Sequence, residues 1–238
     1  MNAPHPRLIA LVGAAVLAGC SDATGPDGDV DVLPVIEHML ISIDDWDAET
    51  QRAGDITFVG GEVFIPFGKF LVGTNGPKIT PELTWFVAEG TEVHAPITGV
   101  VSQIDVLYSD DYLIVLQQDG SAWEVGVEHV VDPRVQVGDR VTAGQVIATA
   151  TPEDTPFGTI AFTELAVWLP ADSDEEMIKK CPVLAFTPAL RASFSTATYA
   201  LAESWETHWG EDTYDTAAWT QPGCLMDELT EAQARNGG

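Results

Sequence analysis

Apolar positions along this 238-residue chain change their pattern several times. Behind Arg7, residues 8–18 are an unbroken small and apolar run, too short to cross a bilayer. Residues 21–32 hold Asp, Gly, Pro and Thr with almost nothing to bury, the composition of a flexible tether. From Ile56 to Leu169 short β-rich runs alternate with turn residues: Val63–Phe67, Glu92–Ala95, Val100–Val106, Tyr112–Leu116, Ala122–Val127, Gln145–Thr149 and Ile160–Leu169. Such spacing predicts an antiparallel β barrel or sandwich. Asp119-Gly120 is a hairpin turn between two of these runs, and Gly90, Gly99, Gly138 and Gly144 mark other breaks where a positive φ costs little. After Cys181 the pattern becomes helical, with Thr187 as N-cap, Pro188 at the first helical position and helix formers to about Trp209.

The expected fold is therefore mainly β, an antiparallel barrel or sandwich with a small helical C-terminal extension. Its divisions are a signal peptide (1–19), an acidic tether (20–34), an N-terminal extension (35–57), the β domain (58–170) and a helical, disulfide-linked extension (171–238).

The ends of the chain bear on compartment. The apolar run closes in Leu17-Ala18-Gly19-Cys20, which resembles the bacterial lipoprotein processing box, in which the cysteine is acylated. Cys20 is the expected lipid anchor, placing the protein outside the cytoplasm and tied to a membrane of the cell envelope; an ordinary secretory signal is the alternative. Asp27-x-Asp29-x-Asp31 in the tether has calcium-loop spacing, but Val32 stands where the turn glycine belongs and His38 where the bidentate glutamate belongs. Ten basic residues face 37 acidic ones, a formal net charge of −27 that excludes nucleic acid as a partner. In an exported chain Cys181 and Cys224 are expected to form a disulfide rather than remain two buried thiols. Trp205, Trp209 and Trp219 are read as core in preference to a sugar-stacking platform.

Two segments carry a family resemblance. Glu89-Gly90-Thr91-Glu92-Val93-His94-Ala95-Pro96-Ile97-Thr98-Gly99-Val100-Val101 and Val137-Gly138-Asp139-Arg140-Val141-Thr142-Ala143-Gly144-Gln145-Val146-Ile147 are similar to the G-T-x-V-x-A-P-x-x-G-x-V and V-G-D-x-V-x-x-G-Q-x-I stretches of the lysostaphin-type (LytM-like) peptidoglycan endopeptidases. The resemblance covers about residues 58–170 and implies a β-barrel with a groove across it. It also implies a zinc held by two histidines and an aspartate, activating water for attack on a peptide carbonyl.

The ligand positions implied by the resemblance hold other residues. The H-x-x-x-D pair falls on Thr80 and Thr84, and the H-x-H strand places Ile160 and Phe162 where its histidines belong. Beyond residue 20 the only histidines are His38, His94, His129 and His208, and His94 lies where the family has no ligand. His129, in Val127-Glu128-His129-Val130, matches the histidine that assists catalysis without being a primary ligand; as a plain strand-end histidine it would bond a neighbour.

The expectation is a non-catalytic, degenerate barrel without cofactor, binding peptidoglycan or an envelope protein such as a wall hydrolase. The rival is an active hydrolase with a non-standard site at His129, drawing on Glu128, Asp132 or Glu164, with zinc as cofactor only in that case. The second motif also occurs in biotinyl and lipoyl carrier domains, but no lysine lies between Phe86 and Val167 to carry a prosthetic group.

Overall fold

The computed structural model describes residues 29–236 except 31, 59–60, 74–75 and 157. The signal segment and Cys20 lie outside the described residues. Strands β1 (Trp46–Asp47), β2 (Arg52–Ala53), β3 (Ile56–Thr57) and β4 (Phe64–Ile65) lead to a separate hairpin of β5 (Phe70–Gly73) and β6 (Gly76–Ile79). The main run is β7 (Leu83–Val87), β8 (Glu92–His94), β9 (Gly99–Val106), β10 (Tyr112–Gln117), β11 (Glu124–Val131), β12 (Arg140–Val141), β13 (Val146–Thr155) and β14 (Gly158–Leu169). β15 (Ile178–Lys180) precedes helix α1 (Pro188–Trp209), and β16 (Glu228–Thr230) runs into α2 (Glu231–Asn236).

The fold is mainly antiparallel β with few helices, as the sequence pattern predicts. The twelve-residue β14 is its hub. It pairs with β13 through Phe162, with β7 over Ala161–Leu165, with β11 over Glu164–Trp168 and with β15 at Trp168–Leu169. Alternation along it sorts two faces. Ala161, Thr163, Leu165 and Val167 are buried in the main core with Ile114, Leu116, Val125 and Val127. Phe162, Glu164, Ala166 and Trp168 take the opposite face, where Val115, Ala166 and Trp168 form a smaller apolar cluster against Leu113 and Met177.

Helix α1 begins as its capping signal predicts: Thr187 Oγ1 accepts from the Leu190 amide at 3.2 Å, and Pro188 follows. It ends on Gly210 at φ +68°. Its inward residues Phe194, Thr198, Leu201, Ala202 and Trp205 are buried. Trp205 has no exposed surface and meets Phe58 edge-on, so this tryptophan is core. Cys181 and Cys224 are disulfide-bonded across 43 residues.

Among the features that differ from the sequence reading, four bear on the β domain and its extension. β11 continues four residues beyond Val127, so Glu128 and His129 lie inside a strand. β13 extends to Thr155. The segment after residue 171 adds two strands, β15 and β16, to the sheet as well as its helices. Gly99 is not a positive-φ residue; a Cβ there would meet the Gln117 carbonyl oxygen at 2.4 Å, so close strand approach is what requires glycine.

Candidate functional site

The site forms where β7, β11 and β14 cross. Glu164 lies opposite Thr84 of β7 and opposite Glu128 of β11, so one residue of the hub faces both neighbours. The β10–β11 ladder then slips: Tyr112 pairs with Val130 but Ile114 with Val127, one extra residue on β11. His129 occupies this bulge at φ +54°, a conformation uncommon for anything but glycine. The bulge is why consecutive residues, Glu128 and His129, both line one groove.

His129 is 8 % exposed. Its Nδ1 lies 2.8 Å from Asp111 Oδ2, and its Nε2 lies 3.8 Å from Glu164 Oε2. Burial pushes the Asp111 carboxyl up, but hydrogen bonds from Ser109 and His129 outweigh it and hold the group below its ordinary value. An ionised carboxylate only accepts, so Nδ1 donates to Asp111, and Nε2 is the nitrogen turned toward Glu164. Tyr108, 91 % exposed, stands edge-on to the imidazole at 6.5 Å between ring centres.

The positions that the resemblance assigns to metal ligands are engaged otherwise. Thr84 is buried and its Oγ1 donates to Glu164 Oε1 at 2.7 Å. The Phe162 ring packs on His129 at 4.4 Å. Ile160 is buried, as is Thr80, whose Oγ1 has no hydrogen-bond partner among the described residues. A hydroxyl, an aromatic ring and an alkyl chain do not make a zinc site, and zinc does not fit these positions. His94 Nδ1 donates to the Leu40 carbonyl at 3.2 Å, away from the groove, and Asp132 lies just beyond β11 at φ +51°.

Three carboxylates gather beside them. Oxygens of Glu82, Glu128 and Glu164 lie within 4.8 Å of one another. Burial raises the Glu82 carboxyl well above its ordinary value, reinforced by the charges of Glu128 and Glu164. Burial likewise raises Glu128, with Lys179 opposing and Glu164 reinforcing. Lys179 Nζ sits 3.8 Å from both Glu82 and Glu231, bringing a cation from β15 against the cluster. Two cavities of about 520 and 450 Å³ share Glu82, Glu128, Glu231 and Arg235. Together they make one groove, with His129 and Tyr108 on one arm and Trp168, Leu113 and Val115 on the other. Sequence reasoning named His129, Glu128 and Glu164 but missed Glu82, Asp111 and Lys179. The one signal for Glu82 was its place two residues before Thr84, just outside β7.

Residues 81–161, about a third of the chain, match the sequence model of peptidase family M23. Among solved structures the chain is similar to the catalytic domain of the antimicrobial peptidase lysostaphin from Staphylococcus simulans, at 21% identity over 52% of this chain and 88% of that one, with a TM-score of 0.39. It is similar to LytU at 21% identity over 53% of this chain and 86% of that one, with a TM-score of 0.42. It matches lysostaphin in solution at 22% identity over 46% of this chain, with a TM-score of 0.38, and spans 44% of that chain. No curated protein matches the chain.

Proposed function

We propose that this chain is a non-catalytic, lipid-anchored cell-envelope protein whose M23-like groove binds cell-wall glycopeptide. The carrying observation is that Thr84 and Phe162, which the sequence resemblance sets at the family's ligand positions, are occupied in internal contacts with Glu164 and His129. The groove supports the binding half of the reading. The exposed Tyr108 offers a ring for sugar or peptide, the carboxylates accept from ammonium groups, and Lys78 pairs with carboxylate groups.

The test is co-sedimentation of the purified protein with insoluble peptidoglycan. Retention is expected, weakened about tenfold in Tyr108→Ala, without release of soluble fragments. Failure to sediment would sink the glycopeptide as ligand and turn the search to an envelope protein. Anchoring has its own test: Cys20→Ala should abolish fatty-acid labelling and release the protein from membranes.

One observation favours a second reading, an active hydrolase built around His129. The 2.8 Å Nδ1 contact to Asp111 and the positive φ preserve an oriented imidazole in the groove. Zinc would be the cofactor only under that reading. Fragment release from peptidoglycan that disappears in His129→Ala would establish it.

A further inference from the structure

Helix α2 stands in the middle of the groove. Glu82 and Glu128 of the floor and Glu231 and Arg235 of α2 are common to both cavities, so the helix makes a waist between the His129 arm and the Trp168 arm. Ala234, 3 % exposed, lines the larger cavity with Lys78 and Ile79 of β6, and α2 packs along that strand. The β5–β6 hairpin and α2 therefore roof what β7, β11 and β14 floor.

What holds α2 in place is local and slight. Six residues are too few for a helix to persist unaided, and Thr230 and Gln233 supply a capping box. The Thr230 amide donates to Gln233 Oε1 at 2.8 Å, and the Gln233 amide donates to Thr230 Oγ1 at 3.3 Å. The Glu231 amide donates to the Met177 carbonyl at 2.9 Å. Lys179 is the latch between roof and floor: its Nζ lies 3.8 Å from Glu231 and from Glu82, and 5.0 Å from the centre of the Trp168 ring. β16, which leads into α2, pairs with β15, and β15 meets β14 at Trp168 and Leu169. Helix α1 buries five residues and α2 buries one, so α2 can leave its place while the core stays packed.

We infer that α2 is a strap that closes the groove to long chains and is displaced by them. The inference rests on the glycopeptide reading, since a linear glycan bearing peptides has to run through the waist that α2 occupies. With the strap down, cavities of about 520 and 450 Å³ each take a single unit. With it displaced, the two arms join into one run. The closed population then sets the apparent affinity for long strands and leaves that for short pieces unchanged.

The experiment compares the full-length parent with Thr230→Ala/Gln233→Ala, in which both capping bonds are lost. Neither residue lines either cavity, so a change in binding is transmitted through the helix. Long peptidoglycan strands and a single disaccharide-peptide are the probes, and amide hydrogen exchange is followed alongside affinity. In the parent, long strands should speed exchange at Glu231 and Gln233, and the single unit should not. Loss of the cap should tighten strand binding about tenfold and leave binding of the single unit unchanged. Thr187→Ala, the same kind of change at the cap of α1, should lower the melting temperature without tightening either. Strands that slow exchange at Glu231 and Gln233, or bind parent and cap variant equally, would overturn the strap. Should neither probe bind either protein, the glycopeptide reading falls by itself: the strap then stands if α2 amides exchange ahead of those of Leu201 to Trp205, and falls if the two exchange together.

Discussion

At the scale of single residues, His129 is held by a bulge, a positive φ and a buried carboxylate. Replacing Asp111 with Ala leaves the Nδ1 proton without a partner in a buried place and should cost about 1–3 kcal/mol in denaturant unfolding at neutral pH. Asp111 is depressed in the fold, so its contribution is present above its unfolded pKa and is lost as pH falls through the folded one. Glu82 and Glu128 work in the opposite sense. Their folded values are raised, so the native state binds the extra protons and stability declines as pH rises above the ordinary glutamate range. Glu128→Gln should therefore raise the melting temperature at pH 7 by a few degrees, and the gain should shrink toward pH 4. The sequence shows His129 because a motif surrounds it. It hides Asp111, eighteen residues earlier, and Glu82, because folding and not spacing brings the first to the imidazole and the second to Glu128 and Glu164.

At the scale of elements, the glycine-marked turns of the β domain were legible and the strand carrying Thr84 was not. Leu83–Val87 is almost wholly buried, so it shows no apolar and polar alternation to announce a strand. β15 and β16 were equally hidden, being three residues each and dependent on β14 for pairing. Gly126 shows what packing adds to local pattern. A Cβ there would lie 2.4 Å from the Trp168 ring, so the glycine lets that ring rest on β11 and floor the groove. Gly126→Ala should destabilise by about 1–3 kcal/mol and displace Trp168, which tryptophan fluorescence would register together with weakened ligand binding. An unchanged spectrum and unchanged stability would show that the ring has room to move. Helix α1 was readable from its cap alone, because Thr187-Pro188 is a local signal that tertiary packing only reinforces.

At the scale of the whole molecule, the C-terminal segment is closed on itself by the Cys181–Cys224 bridge and held to the rest of the chain by Lys179 against Glu82 and by the buried Trp205 against Phe58. Removing the bridge with paired serines should cost about 4 kcal/mol on the chain-entropy account, read as a lower denaturant midpoint with the fold retained. No helix among the described residues is long and apolar enough to cross a membrane, so the proposed attachment rests on the segment ending at Cys20. The central claim is that an M23-like barrel has kept its groove while the residues at the family's zinc positions no longer hold metal. The most direct measurement incubates the purified chain with cross-linked peptidoglycan and added Zn²⁺ and follows soluble fragments by mass spectrometry. The account predicts none above the level of a His129→Ala control, and zinc-dependent fragments that vanish in that control would contradict it.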